Sequence, residues 1–199
     1  MNARTKYYLD KEKQKVEEII DFVKKNKIVL GSSEYDSFCE YLKDIIKLEI
    51  LANNIEYSDN KSSEINFQVV HNEKSGTAGS CLKNIFLNED GRFVRGTVDI
   101  VINSNTNYFE KLSSDDENVR IEGAKRVIKT VHHEFSHFKQ VRSFVTHLSD
   151  YRALRSAKEY LFHEASLVSS RVYQKNHDNF SIENDANLQS YIKFSYFMG

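Results

Sequence analysis

The residues of this chain best suited to chemistry lie in one short stretch, TVHHEFSH, at positions 130–137. It contains the pattern HExxH, formed by His133, Glu134 and His137. On a helix, residues i and i+4 project from the same face, so the two imidazoles can bind one metal ion. The residue after the first histidine lies beside the open coordination position, where a carboxylate can take a proton from water that the metal activates. The pattern therefore predicts a metal site with Glu134 as general base.

The apolar residues around this motif predict the helix that must carry it. They recur at helical spacing from about Asp116 to Val141, and the preceding stretch 113–115 offers several candidate N-caps. The apolar face consists of Ile121, Ala124, Val127, Ile128, Val131, Phe135 and Phe138. His132 is about 100° away from the ligand face, so we expect a packed or surface histidine there and not a ligand.

The segment before that helix predicts a small antiparallel sheet over residues 64–103. Alternating apolar and polar residues indicate strands at about 64–70, 82–87 and 92–103, and Asp90-Gly91 is a typical hairpin turn. Residues 103–116 are polar and predict a loop. Arg95, Thr97 and Asp99 form the polar face of the third strand, and such a face suits an exposed strand.

Helices are predicted on both sides of this core. One covers residues 11–26, and a second runs from Ser32 or Ser33 to about Leu51, with an apolar face of Phe38, Leu42, Ile45, Ile46 and Glu49. Two more are expected after the motif, at 149–175 and from about 181 to 196. The order predicts an α+β protein with one domain over 1–199, made of an N-terminal helical segment (1–52) and a core (63–199).

Composition excludes several functions. The chain has 28 Lys and Arg against 29 Asp and Glu, whereas nucleic-acid binders usually have a basic excess. No run approaches the length of about 18 apolar residues that a membrane span requires. The first residues have no apolar stretch typical of a secretion signal. We therefore expect a cytoplasmic protein that binds neither nucleic acid nor membrane.

The arrangement of a sheet, an HExxH helix and further helices resembles the zincin metallopeptidases. The HExxHxxGxxH extension of the metzincins is absent, because Gln140 stands where that pattern has glycine. The chain is more similar to the gluzincins over about residues 92–196. This resemblance implies one Zn²⁺ per chain, bound by His133, His137 and a glutamate of a downstream helix, with a peptide or protein as substrate. It also implies that the strand at 92–103 lies at the edge of the sheet, where an extended substrate could pair with it.

Three glutamates have suitable spacing for the third ligand: Glu159, Glu164 and Glu183. The stretch that begins at Glu183, Glu-x-x-Ala-Asn-x-x-Ser-Tyr, is similar to the ligand helix of small intracellular HExxH proteins of bacteria and phages. In that family a small residue, here Ala186, lets the helix approach the metal. The resemblance therefore favours Glu183, with Glu164 as the alternative.

Weaker expectations concern the residues around the ligands. A metal-bound histidine usually donates its other N–H to a carboxylate or carbonyl group, and Asp185 or Asn187 could accept it. An oxyanion could be stabilised by Tyr173, His177 or Tyr191.

Two hypotheses about function follow. The first is a zinc-dependent metallopeptidase, in which Glu134 activates water for attack on a peptide bond. The alternative is a catalytically inactive zinc-binding module, regulatory or for protein interaction, with a zincin fold. A helical adaptor without metal is a third interpretation. The segment before residue 52 could be a partner surface, a lid over the cleft, or helices that pack on the sheet.

Overall fold

The computed structural model describes residues 3–53, 63–87, 93–146 and 181–198. These form three strands, β1 (Ser63–Val70), β2 (Gly79–Leu87) and β3 (Phe93–Asn103), and five helices, α1 (Ala3–Lys25), α2 (Ser33–Ala52), α3 (Asn107–Leu112), α4 (Glu117–Thr146) and α5 (Ser181–Met198). The described part of the chain is therefore α+β, as predicted. Among these helices, none combines the length and apolar character needed to cross a membrane. The predicted helix at 149–175 lies outside the described residues.

The first two helices form where helical spacing and capping residues predict them, although α1 begins eight residues earlier than expected. Gly31 has φ 81°, a conformation that side chains with a Cβ rarely adopt, and it makes the turn between α1 and α2. Ser32 then caps α2, since its hydroxyl oxygen accepts a hydrogen bond of 3.1 Å from the backbone N–H of Tyr35.

The sheet differs from the prediction in strand direction and strand order. β2 and β3 pair antiparallel, but β1 pairs parallel to β3, with Phe67 opposite Ile100. The order is β1-β3-β2, so β3 is the central strand and the expectation that it lies at the edge is wrong. On the polar face of β3, Asp99 accepts a hydrogen bond of 2.9 Å from the side chain of Asn66 in β1. The alternation of apolar and polar residues along a strand indicates which face of the strand is buried. It does not indicate which strands lie beside it or whether they run parallel or antiparallel.

The polar segment after β3 contains a short helix where a loop was predicted. Thr106 caps α3 by accepting a hydrogen bond of 3.5 Å from the backbone N–H of Phe109. Phe109 and Leu112 are both buried, and their spacing of three residues places them on one helical face. Because most residues around Phe109 and Leu112 are polar, the apolar pair was not recognised in the sequence as a helical face.

One hydrophobic core joins the N-terminal helices to the sheet and to α4. Its fully buried members include Phe38 from α2, Ile100 from β3, and Ile128 and Phe135 from α4. The residues before position 52 therefore contribute to the core that supports the HExxH helix.

A buried arginine ties α1 to the beginning of α4. Arg120 donates hydrogen bonds through Nε to the Val23 carbonyl oxygen at 2.7 Å and through Nη1 to the carbonyl oxygens of Ser114 and Asp115 at 2.8 and 2.9 Å. A further bond from Nη2 reaches the carbonyl oxygen of Lys24. This contact fixes the C-terminal end of α1 against the first turn of α4.

Candidate metal centre

Two helices bring together the residues of the candidate metal centre. α4 places His133 and His137 one turn apart on the same face, and α5 places Glu183 in its first turn. Ala186 follows Glu183 by one turn and is fully buried.

The three side chains converge on one point. The Nε2 atoms of His133 and His137 are 3.1 Å apart, and each lies 3.3 Å from Oε2 of Glu183. The two imidazole rings are nearly perpendicular, with an interplanar angle of 85°. The three potential ligand atoms thus form an almost equilateral triangle, and the group could hold a metal ion.

This triangle fits the size of a tetrahedral zinc site. Nitrogen and oxygen ligands lie about 2.0–2.1 Å from zinc, so two of them on a tetrahedron are about 3.4 Å apart. Glu183 and His137 are buried, whereas the side chain of His133 is 17% exposed. The group is therefore shielded on two sides and open to solvent beside His133.

Glu134 lies against the beginning of β2. A Cβ atom built on Gly79 would lie 2.8 Å from Oε1 of Glu134, 2.9 Å from its Cγ and 2.9 Å from Cγ2 of Thr130. Distances below 3.0 Å are sterically forbidden for real Cβ atoms, so only glycine fits at position 79 while Glu134 keeps this conformation. The backbone of β2 thus forms one wall beside the candidate base.

Asn103 holds the loop that leads into β2. Its Nδ2 donates hydrogen bonds of 3.2 Å to the carbonyl oxygens of Asn72, Ser75 and Thr77, and its Oδ1 accepts bonds from the backbone N–H groups of Asn72 and Asn105. Asn103 is only 4% exposed. One buried amide therefore fixes the loop whose end, Gly79, contacts Glu134.

A second group of potential ligands lies directly behind the first and consists of Glu12, Glu49 and His132. His132 and Glu49 share a hydrogen bond of 2.9 Å between Nδ1 and Oε1, and Oε1 of Glu12 lies 3.5 Å from the same nitrogen. Lys193 of α5 also enters this group, since its Nζ contacts Oε1 of Glu49 and lies 2.9 Å from Oε2 of Glu12. We call these four residues the buried charge cluster. A lysine ammonium group already supplies its positive charge.

The charges in the cluster shift one another's ionisation. Burial, together with the charge of Glu49, raises the pKa of Glu12 to about 8. Burial opposes ionisation of Glu49 as well, but the attraction of Lys193 and the hydrogen bond from His132 hold the pKa of Glu49 below its ordinary value. Burial lowers the pKa of His132. Burial also disfavours the charged form of Lys193, but the attraction of Glu49 and Glu12 is stronger and raises the pKa of Lys193 above its ordinary value. Glu49 and Lys193 therefore form the ionised pair of the cluster near neutral pH.

The other predicted site residues divide into two sets. Asp185 is exposed and accepts a hydrogen bond of 2.7 Å from Gln189, Asn187 is exposed, and Tyr191 is 61% exposed. The remaining candidates lie outside the described residues: Glu159, Glu164, Tyr173 and His177. Of the three glutamates considered as third ligand, the structure describes only Glu183.

Glu12 and Lys193 were not predicted from the sequence as members of a buried cluster. A signal for Glu12 was present, because it stands at helical spacing from Val16, Ile19 and Val23 on the buried face of α1. Glu49 was placed on the apolar face of α2, and it is buried there. A charged residue on the apolar face of each of two helices, here Glu12 on α1 and Glu49 on α2, indicates that the two faces meet at a buried polar contact.

Comparisons of this chain with protein-family models, with curated proteins and with solved structures found no match. Any statement about function therefore rests on the chemistry of the site.

Proposed function

We propose that this protein is a zinc-dependent peptidase of the gluzincin type. In this proposal His133, His137 and Glu183 bind one zinc ion per chain, and Glu134 is the general base. The observation that carries it is the triangle of ligand atoms with sides of 3.1, 3.3 and 3.3 Å, which has the size of one face of a zinc tetrahedron.

The chemistry of the donor set supports a catalytic rather than a structural site. Structural zinc sites usually have four protein ligands, most often with cysteines, whereas catalytic sites have three and leave one position open. Two imidazoles and one carboxylate are such a catalytic set. The partial exposure of His133 leaves a side of the site accessible to solvent, where substrate would have to enter.

The residues of this chain then have separate tasks. A zinc ion bound there would supply Lewis acidity and lower the pKa of a water molecule toward about 7. The carboxylate of Glu134 accepts the proton of the attacking water and passes it to the leaving amine. The contact with Gly79 limits where that carboxylate can lie, so it is oriented before substrate binds.

The proposal can be tested with two variants that separate ligand from base. The purified wild-type protein should contain close to one zinc per chain. His137→Ala should lose zinc, because two remaining ligands bind it poorly, whereas Glu134→Gln should retain zinc and the fold but lose hydrolysis of a mixed peptide library. Metal content is measured by mass spectrometry and hydrolysis by release of new amino termini.

The same experiment distinguishes the alternative, a zinc-binding interaction module without turnover. That alternative predicts zinc in the wild-type protein with no peptide hydrolysis in any variant. A wild-type protein that remains free of zinc after expression with added metal, and whose melting temperature zinc does not raise, would contradict both interpretations.

A further inference from the structure

We propose that the buried charge cluster positions Glu183 for metal binding, and that Lys193 is the residue through which it does so. This inference rests on the proposed function, since it concerns the third ligand of the proposed zinc site. Lys193 touches neither the metal ligands nor the candidate base in the contacts described above, so it is a positioning residue.

A path of contacts connects Glu183 to the buried charge cluster through Lys193. Lys193 and Glu183 belong to the same helix, α5, and lie about 15 Å apart along its axis at 1.5 Å per residue. The ammonium group of Lys193 contacts Glu12 of α1 and Glu49 of α2. Because a helix is a rigid element over this length, fixing α5 at Lys193 restricts the position of Glu183.

The cluster also contacts α4 beside the histidine ligands. His132 shares its Nδ1 hydrogen bond with Glu49, and it immediately precedes His133 in the chain. The ring of His132 also packs against Phe197 of α5, with centroids 5.5 Å apart. The cluster therefore joins the helix that carries the two histidines to the helix that carries the glutamate.

Within the part of the chain that the structure describes, α5 has few buried apolar side chains. The buried hydrophobic ones are Ala186 and Phe197. Three larger apolar residues are mostly exposed, Leu188 at 57%, Tyr191 at 61% and Ile192 at 59%. Among these described contacts, the ion pairs of Lys193 therefore add substantially to what holds α5 in place.

Removing the ammonium group has two separate effects. Glu49 is 1% exposed, and without Lys193 its carboxylate is a buried charge that lacks its cation, which lowers the stability of the fold. Independently of that charge, α5 loses the contacts that tie it to α1 and α2. Glu183 can then move away from His133 and His137, so binding of zinc must supply the energy to bring the helix back.

The test compares Lys193→Met with Arg120→Met. Both variants remove a buried cation that ties α1 to another helix, but the contacts of Arg120 involve α4 and the segment before it, and not α5. Zinc affinity is measured by competition with a chromophoric chelator. Lys193→Met should lower it about tenfold or more, as is typical for residues that support metal ligands. Arg120→Met should lower the unfolding midpoint while changing zinc affinity less than twofold; an equal loss in both variants would contradict the proposal.

A second variant guards against misfolding of the first. Lys193→Met/Glu49→Gln removes the unpaired charge together with the ion pair, so it should regain unfolding stability and yet keep the loss of zinc affinity. The absorption spectrum of bound Co²⁺, which depends on the ligand set, should also differ from that of the wild type. If the double variant recovers wild-type zinc affinity, the buried charge and not the lost contact caused the defect, and the inference is wrong.

Hydrogen exchange without metal separates failure of this inference from failure of the proposed function. In the metal-free protein, Lys193→Met should speed amide exchange over 183–197 and leave exchange in the middle of α4 unchanged. Unchanged exchange in α5 would overturn the inference even if zinc binds. If exchange in α5 is faster but the protein never binds zinc, Lys193 docks α5 without serving a metal site. That result would contradict both the inference and the proposed function.

Discussion

Gly79 lies directly against the carboxylate of Glu134, so that a Cβ atom at position 79 would be 2.8 Å from Oε1. The first residue of an edge strand thereby limits the conformation of the residue that we propose as general base. No signal in the HExxH motif indicates this contact, because Gly79 is far from the motif in the chain.

Gly79→Ala should reduce peptide hydrolysis without loss of zinc. The new methyl group displaces the Glu134 side chain, and a misplacement of about 1 Å can cost on the order of a hundredfold in rate. The matched control is Gly76→Ala, since nothing lies within 4 Å of a Cβ atom at position 76. We expect kcat to fall in the first variant and to stay near the wild-type value in the second. Equal kcat values in the two would show that the contact has no catalytic consequence.

Glu183→Ala should abolish tight zinc binding, whereas Glu164→Ala should retain it. The reason is that Oε2 of Glu183 lies 3.3 Å from the Nε2 atoms of both histidines. The zinc-dependent rise of the melting temperature measures this directly, because a ligand that binds only the folded state raises stability by about 4 kcal/mol at a thousand times its dissociation constant. Retention of the rise in Glu183→Ala and its loss in Glu164→Ala would reverse the choice of ligand.

Glu12→Gln should flatten the dependence of stability on pH. The pKa of Glu12 is raised from its ordinary value of 4.5 to about 8, mainly by burial and by Glu49, against the attraction of Lys193 and Lys139. The folded state therefore binds this proton more tightly than the unfolded state does. Its stabilising contribution is complete below about pH 4.5 and is lost as the pH rises toward 8.

The measurement is the urea midpoint between pH 4.5 and 8. The wild-type midpoint should contain a component that falls over this range, and Glu12→Gln should lack it. His132 also faces Glu12, so the variant must be compared at each pH with Glu17→Gln, an exposed change on the same helix. Parallel curves for Glu12→Gln and the wild type would show that Glu12 ionises normally in the folded protein.

Asn103→Asp should destabilise the protein by about 2–3 kcal/mol, the usual cost of buried polar groups left without a partner. The substitution replaces an amide N–H₂ group, which donates to three carbonyl oxygens, with an acceptor that faces the same oxygens. Asn105→Asp is the control, since its side chain makes one long bond of 3.4 Å near the surface. Thermal unfolding of the two variants should differ by several degrees; a difference within error would contradict the role of Asn103 as the centre of the loop.

The sequence was sufficient for features that depend on local spacing. The apolar period and the cap at Ser32 predicted α2 within one residue at its end, and the i, i+4 rule placed His133 and His137 together. Such features involve neighbours within two turns of a helix, so their geometry follows from the backbone alone.

Features that depend on distant parts of the chain were harder to predict. The parallel pairing of β1 with β3 joins segments about thirty residues apart, and the period of a strand does not encode its partner. Likewise, Glu12 and Lys193 appear in the sequence as ordinary charged residues of helices, and only the folded structure shows that they meet. The contact between Gly79 and Glu134 is of the same kind.

The buried charge cluster also has a consequence for the order in which parts of the protein can pack. The ribosome makes α1 and α2 before α5, so Glu12 and Glu49 exist before the lysine that accompanies them. Until then the nascent helices must leave these carboxylates in contact with water, because burying them alone is unfavourable. This part of the core can therefore close only after residue 193 has been made, and a nascent chain stalled before residue 193 should expose the apolar faces of its first two helices to chaperones.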